Sequence, residues 1–66
     1  MIARGYPYTL EREETGWWLV RFPTIPEALT EGETEAEARA NALDCVTAAL
    51  EGYIKAGRPL PRGEAT

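Results

Sequence analysis

The chain has 66 residues, with 7 basic and 11 acidic side chains that give a net charge of −4, one cysteine and no histidine. This length fits one small domain, and the missing histidine excludes Ser-His-Asp and Cys-His catalytic sites. One cysteine without histidine also cannot build a four-ligand zinc site. A single cysteine cannot form an intramolecular disulfide, and the acidic balance argues against binding to nucleic-acid phosphates.

The location and assembly of the chain follow from similar arguments. No apolar run approaches the roughly 20 residues that span a bilayer, and the first residues, MIARGYPY, lack the apolar stretch of a signal peptide. We therefore expect a cytoplasmic protein without membrane contact. A domain of about 60 residues buries only about 60% of its unfolded surface, so self-association is a common source of added stability. We expect a homo-oligomer, either a dimer or a tetramer.

The first predicted elements form a hairpin. Residues 6–12 alternate apolar side chains with other residues, which is typical of a half-buried strand. Pro7 lacks an N–H group and therefore fits the start or the edge of that strand. The polar sequence EETG at 13–16 predicts the turn.

The second predicted strand covers residues 17–22 and is rich in aromatic and β-branched side chains. Its uncharged face contains Trp18, Val20 and Phe22, and its other face contains Trp17, Leu19 and Arg21. We expect the uncharged face to meet the core. The prolines in PTIPE at 23–27 then predict an extended crossing, and 28–31 predicts a short third strand that Gly32 ends.

A long helix is predicted from Thr34 to Ala56. Thr34 and Glu37 fit a capping box, in which the threonine hydroxyl accepts from the Glu37 N–H and the glutamate reaches back to the Thr34 N–H. Gly57, with prolines shortly after it, predicts the end of the helix. The apolar stripe of this helix consists of Ala42, Leu43, Val46, Ala49, Leu50, Tyr53 and Ile54.

Together these elements predict an α+β fold, with a small antiparallel sheet of about three strands and one long helix packed on one face. We assign residues 5–61 to the domain and residues 62–66 to a disordered or frayed tail. One helix leaves the other sheet face bare, and an exposed apolar face of this kind usually marks an interaction surface.

Four side chains are the candidate interface residues. We predict that Trp17, Leu19, Arg21 and Tyr6 contact a partner or a second copy of the chain, since aromatic residues are enriched in protein interfaces. A ligand platform at Trp17 is the alternative. Trp18 is predicted to lie in the core.

The sequence gives little support for catalysis, so we expect no enzyme, no catalytic residue, no cofactor and no metal. Cys45 lies more than two turns inside the helix with Asp44 beside it, and we interpret it as a small packing residue rather than a reactive thiolate. Most glutamates fall at turns and helix ends, where solvation and capping explain them. A metal-dependent nuclease, which would need several of these carboxylates as metal ligands, is therefore a disfavoured alternative.

Charge is distributed unevenly along the chain. Residues 11–51 carry a net charge of −7, whereas residues 55–66 carry +2. An acidic body favours docking of a basic partner, because complementary potentials steer the encounter. The same charges would also serve ordinary solubility.

The order of these motifs resembles the HicB antitoxin family. The sequence GWWLVRFPTIP, then TEGETEAEARANAL from Thr30 to Leu43, then LEGYIKAGRPLP from Leu50 to Pro61 is similar to that family's aromatic strand, helix entry, helix segment and closing proline motif. The resemblance covers nearly all of residues 6–61.

The resemblance implies a fold and a partner. The family's N-terminal domain looks like a truncated ribonuclease H fold without catalytic carboxylates. It pairs with HicA, a small basic toxin that cleaves messenger RNA, and usually forms dimers or higher oligomers. Thr24, Glu27 and Ala28 depart from the family pattern in a loop. Many members also carry a C-terminal DNA-binding module, for which residues 63–66 leave no room, so direct nucleic-acid binding is not expected.

The sequence therefore predicts a non-catalytic protein-binding module that resembles an antitoxin and neutralises a small basic HicA-type toxin. The alternative is an orphan homo-oligomeric module, structural or ligand-binding, with no toxin partner.

Overall fold

The described part of the chain contains five short strands and one long helix. A computed structural model describes residues 1–63. In chain order the elements are β1 (Ile2–Ala3), β2 (Tyr6–Pro7), β3 (Thr9–Arg12), β4 (Trp18–Arg21), β5 (Leu29–Gly32) and α1 (Glu35–Lys55). β1 and β2 form a two-stranded antiparallel ribbon, and β3, β4 and β5 form an antiparallel sheet in that order. The predicted α+β class, with three principal strands and one helix, is confirmed.

The predicted first strand is divided into two. Residues 6–12 contain β2 and β3, which belong to different sheets, and Tyr8 lies between them. β2 pairs with β1, which the sequence analysis did not predict. A strand of only two residues is too short to show the alternation that identifies longer strands.

The β3–β4 hairpin has the predicted turn. Its register pairs Glu11 with Leu19, and the Glu13 N–H donates to the carbonyl of Trp17 at 2.8 Å, which closes the turn. The third strand lies one residue later than predicted. Gly32 was predicted to follow this strand and break the chain, but it is the last residue of the strand and is buried.

Gly32 brings the helix close to the sheet. A Cβ atom at this position would lie 2.5 Å from the backbone nitrogen of Ala38 and 2.8 Å from its Cα. The first turns of α1 therefore lie directly on the end of β5, in a space that admits only glycine.

Capping fixes both ends of α1. The Thr34 hydroxyl accepts a hydrogen bond from the Glu37 N–H at 3.1 Å, as predicted. The Glu37 carboxylate accepts from the Glu33 N–H at 2.9 Å, whereas the sequence analysis expected the Thr34 N–H as its donor. It thus satisfies a donor one residue further out.

At the other end of α1, the chain makes a glycine-dependent stop. Gly57 has a φ of 68°, and its N–H donates to the carbonyl of Ile54 at 3.1 Å. The N–H of Arg58 donates to the carbonyl of Tyr53 at 3.0 Å. This pair of bonds is the Schellman arrangement, so glycine here satisfies carbonyls that would otherwise lack donors.

The core lies between the sheet, α1 and the proline-containing loop that connects β4 and β5. Its largest fully buried side chains are Phe22, Ile25, Val20 and Val46. Small residues of α1, Ala38 and Ala42, are also fully buried, which lets the helix lie close to the strands. Trp18 packs against this core but remains half-buried.

Two residues of the predicted apolar stripe are exposed. Leu43 lies beside, rather than on, the helix face that Ala42 and Val46 turn toward the sheet. Ile54 is 67% exposed, because α1 is about 31 Å long whereas a four-residue strand spans only about 13 Å. The last turns of the helix therefore extend beyond the sheet.

Two observations concern the ends of the chain and the membrane. Part of the predicted tail, residues 64–66, lies outside the described residues. Within residues 1–63, α1 is not apolar enough to cross a bilayer.

The close contact at Gly32 gives a direct test of the fold. We expect Gly32→Ala to lower the free energy of unfolding by about 1–3 kcal/mol, because the backbone of Ala38 would have to move. Gly52→Ala is the matched control, since open space surrounds that helical glycine, and we expect it to raise the free energy of unfolding by about 0.5–1 kcal/mol. Urea denaturation measures both, and equal effects would contradict the packing at Gly32.

Candidate interaction surface

One face of the three-stranded sheet has no covering element among the described residues. α1 covers the face that carries Val20 and Gly32, which are both buried. Because side chains alternate along a strand, the next residues point to the opposite face. We call this opposite face the open sheet face. It consists of Thr9, Glu11 and Glu13, then Trp17, Leu19 and Arg21, then Leu29 and Glu31.

Apolar side chains lie along the middle of the open sheet face. Leu19 is half-buried in the central strand, Trp17 is 38% exposed at the hairpin end, and Leu29 is 55% exposed on β5. Exposed apolar side chains that adjoin one another on a single face are typical of protein–protein interaction sites.

Acidic side chains flank these apolar residues. In the register of the sheet, Leu19 pairs with Glu11 on one side and with Glu31 on the other. The Nε atom of Arg21 lies 3.8 Å from Oε1 of Glu11. Both side chains are largely exposed, so water screens this ion pair and leaves it weak. The rim of the open sheet face is therefore predominantly negative.

Two carboxylates on this rim interact with each other. The pKa of Glu13 is raised above its ordinary value, first because its side chain shares a hydrogen bond with Glu31, and further because of partial loss of water and the charge of Glu31. Arg21 acts in the opposite direction. Two neighbouring carboxylates repel each other when both are ionised, so a positive charge placed beside them would be favourable.

A shallow cavity of about 250 Å³ adjoins the open sheet face. Arg21 and Leu29 belong to both, and the two prolines of the β4–β5 loop, Pro23 and Pro26, form its outer wall. The depression extends the apolar surface beyond the ends of the strands.

Three of the four predicted interface residues come together here. Trp17, Leu19 and Arg21 share the open sheet face. Tyr6 does not, because it is only 7% exposed and its hydroxyl donates to the carbonyl of Pro61 at 2.7 Å. Tyr6 therefore holds the C-terminal segment against the β1–β2 ribbon and is unavailable at the surface of this chain.

Leu29 and Glu31 also lie on the open sheet face, although neither was predicted from the sequence as an interface residue. The sequence analysis placed a strand over 28–31 but did not assign its faces. Their alternation with Thr30 was the available signal. Cys45 is half-buried against the core, and burial raises the pKa of its thiol, which agrees with a packing role.

Comparison with known proteins decides the family. The family described as the HicB_like antitoxin of bacterial toxin-antitoxin systems matches residues 5–66. The chain belongs to this HicB-like family.

Relatives and a solved structure agree with this assignment. The chain is 48% identical over 56 residues to Antitoxin HicB 1 of Photorhabdus laumondii, a match that covers 85% of the chain and 36% of that antitoxin. The N-terminal domain of the Burkholderia pseudomallei antitoxin HicB superposes with a TM-score of 0.79 and 23% identity, over 92% of this chain and 72% of that one, and so supports the fold.

Relatives of this HicB-like domain differ in length. The chain spans only about a third of the Photorhabdus antitoxin that it matches. In contrast, it covers 87% of the UPF0150 protein Ta0767 of Thermoplasma acidophilum, with 30% identity over 60 residues. The HicB-like domain therefore occurs both inside longer antitoxins and in proteins of nearly its own length.

The carboxyl pair on the open sheet face can be tested by titration. We expect Glu31→Gln to lower the pKa of Glu13, because the substitution removes a neighbouring carboxyl and its negative charge, which both raise that pKa. Arg21→Gln should raise the pKa of Glu13 further, since it removes the favourable positive charge. Carbon-detected NMR of the Glu13 carboxyl measures both shifts. A Glu13 pKa that does not change on Glu31→Gln would contradict the interaction between the two carboxyls.

Proposed function

We propose that this HicB-like chain is a non-catalytic antitoxin domain that acts in the cytoplasm by covering a small, basic, HicA-type toxin with its open sheet face. The observation that carries the proposal is the apolar centre of that face, formed by Trp17, Leu19 and Leu29. Membership of an antitoxin family supports a toxin as the partner.

The apolar centre would supply most of the binding energy. Large aromatic and aliphatic side chains at the middle of an interface, once fully removed from water, dominate protein–protein affinity. Trp17 and Leu29 are exposed in the free chain and therefore have surface to bury on binding. Three such residues in one face offer a compact anchor for a partner.

The acidic rim would supply selectivity for a basic partner. A toxin that cleaves RNA carries positive charge where it contacts the phosphate backbone. The carboxylates of Glu11, Glu13 and Glu31 would occupy the same cationic groups and so compete with RNA. A cation placed between Glu13 and Glu31 would favour the ionised form of both carboxyls, because it would offset the repulsion between their charges.

Neutralisation would follow from occlusion and needs no catalytic group on this chain. A partner held on the open sheet face keeps its RNA-binding surface against carboxylates, and RNA cannot displace it without restoring water to the apolar centre. Inhibition of this kind depends on affinity and on the geometry of the covered surface.

The second candidate is an orphan homo-oligomeric module without a toxin. The exposed Trp17 and Leu29 support it as well, because a second copy of the chain would also remove these side chains from water. In this case the open sheet face would be covered by a second copy of the chain.

Substitution of Trp17 tests the proposed function. Under this proposal, a small basic toxin is encoded beside this chain's gene. We expect Trp17→Ala to weaken binding of that protein by about 30-fold or more, as loss of an interface hot spot of at least about 2 kcal/mol would. Ile54→Ala is the control, since Ile54 is also an exposed apolar residue but lies at the far end of α1. Calorimetry of the two variants, together with rescue of cell growth during toxin expression, measures the effect.

Salt and mass measurements separate the two candidates. Binding that weakens between 0.1 and 1 M salt, where the Debye length falls from about 10 Å to about 3 Å, supports a basic partner on an acidic rim. The absence of a small basic reading frame beside the gene, together with a stable dimer or tetramer in light scattering that Trp17→Ala disrupts, would overturn the toxin proposal in favour of the orphan oligomer.

A further inference from the structure

The three-stranded sheet has two edges, β3 and β5, and alternate residues of an edge strand turn their backbone N–H and C=O groups outward. The hydrogen bond from the Glu13 N–H to the Trp17 carbonyl fixes which residues pair inward in the β3–β4 hairpin. It follows that Leu10 and Arg12 turn their backbone groups away from β4 and toward the outer edge.

The β5 edge is covered by the helix. The same alternation turns the backbone groups of Leu29 and Glu31 outward. The side-chain amide of Asn41 donates to the Glu31 carbonyl at 2.9 Å. A side chain of α1 therefore occupies a position that an added strand would need.

The β3 edge is covered only at its start. The Tyr8 N–H donates to the carbonyl of Met1 at 2.7 Å, and the Met1 ammonium donates to the carbonyl of Tyr8 at 3.2 Å. Beyond Tyr8 this cover ends. Within residues 1–63, no hydrogen bond reaches the outward backbone groups of Leu10 and Arg12.

We infer that this open β3 edge binds an extended strand of the basic partner, which adds a fourth strand to the sheet beside Leu10 and Arg12. The inference rests on the proposed function, because it specifies how the same partner would dock. Strand addition at a free edge supplies affinity through backbone hydrogen bonds and specificity through alternate side chains.

The charge on β3 indicates which strand would fit. Glu11 and Glu13 point from β3 onto the open sheet face, so an added strand would place every second side chain beside these two carboxylates. Lysine or arginine at those alternate positions complements the charge. The edge and the open sheet face are continuous along β3, and one partner can therefore occupy both.

A second copy of the chain fits this edge less well. If two antiparallel β3 strands paired Leu10 with Arg12, the two Glu11 carboxylates would lie opposite each other. If Arg12 paired with its own copy, Glu11 would face Glu13. If Leu10 paired with its own copy, Arg12 would meet Tyr8, whose outward groups are already hydrogen-bonded. Like charges directly opposite each other destabilise a sheet, so these registers favour a partner of opposite charge.

A proline substitution on β3 tests the edge directly. Arg12→Pro removes one outward N–H but no hydrogen bond of the β3–β4 ladder, and Arg12→Thr is the matched control that loses the same charge and keeps the N–H. We expect Arg12→Pro to bind the small basic protein encoded beside the gene about five- to tenfold more weakly than Arg12→Thr, the effect of one lost hydrogen bond. Circular dichroism checks that both variants fold.

Amide exchange in the unsubstituted chain gives a second test that does not depend on the variants. We expect exchange at the Leu10 and Arg12 N–H groups to slow at least tenfold when the partner binds. If the partner protects the Trp17 indole while those two amides exchange freely, the edge inference is overturned and the proposed function stands. A partner that does not bind overturns both the edge inference and the proposed function. Protection of the two amides in a dimer of the free chain assigns the edge to a second copy and also overturns the inference.

Discussion

The contact between Gly32 and the backbone of Ala38 sets the position of the single helix, and the rest of the surface depends on that position. Because Gly32 has no side chain, the helix lies directly against the end of β5, and its small residues, Ala38 and Ala42, are fully buried against the sheet. From the same position, the side chain of Asn41 reaches over the β5 edge. Among residues 1–63, nothing covers the opposite sheet face or the β3 edge beyond Tyr8.

Stability and binding therefore compete for the same residues in this small domain. Burying Trp17 and Leu29 within the chain would require a second covering layer, which the described residues do not supply. A chain of 66 residues has a limited core, so a surface that gains free energy on association also strengthens the folded state. The acidic rim keeps this apolar surface selective, since carboxylates on both sides of Leu19 disfavour contact with another acidic protein.

The sequence predicted the parts of the structure that depend on local chemistry. Capping by Thr34 and the stop at Gly57 act within a few residues, and both were recognised from the sequence. Alternation within residues 17–22 also predicted that Trp17, Leu19 and Arg21 share one face. Three-dimensional context decided the rest. Tyr6 is buried, and its hydroxyl donates a hydrogen bond to the carbonyl of Pro61, 55 residues away along the chain. Ile54 is exposed because the helix is longer than the strands that it covers. The likeness to ribonuclease H, the oligomeric state and the boundaries of the domain remain predictions.

Leucine methyl groups report on every surface that this account distinguishes. Leu19 and Leu29 lie on the open sheet face, Leu10 lies on the β3 edge strand, and Leu43 and Leu50 lie on α1. The most direct measurement is the set of intermolecular NOEs from methyl-labelled leucines of this chain to the small basic protein encoded beside its gene. The account predicts NOEs from Leu19 and Leu29. NOEs confined to Leu43 and Leu50, with Leu19 and Leu29 silent, would contradict it.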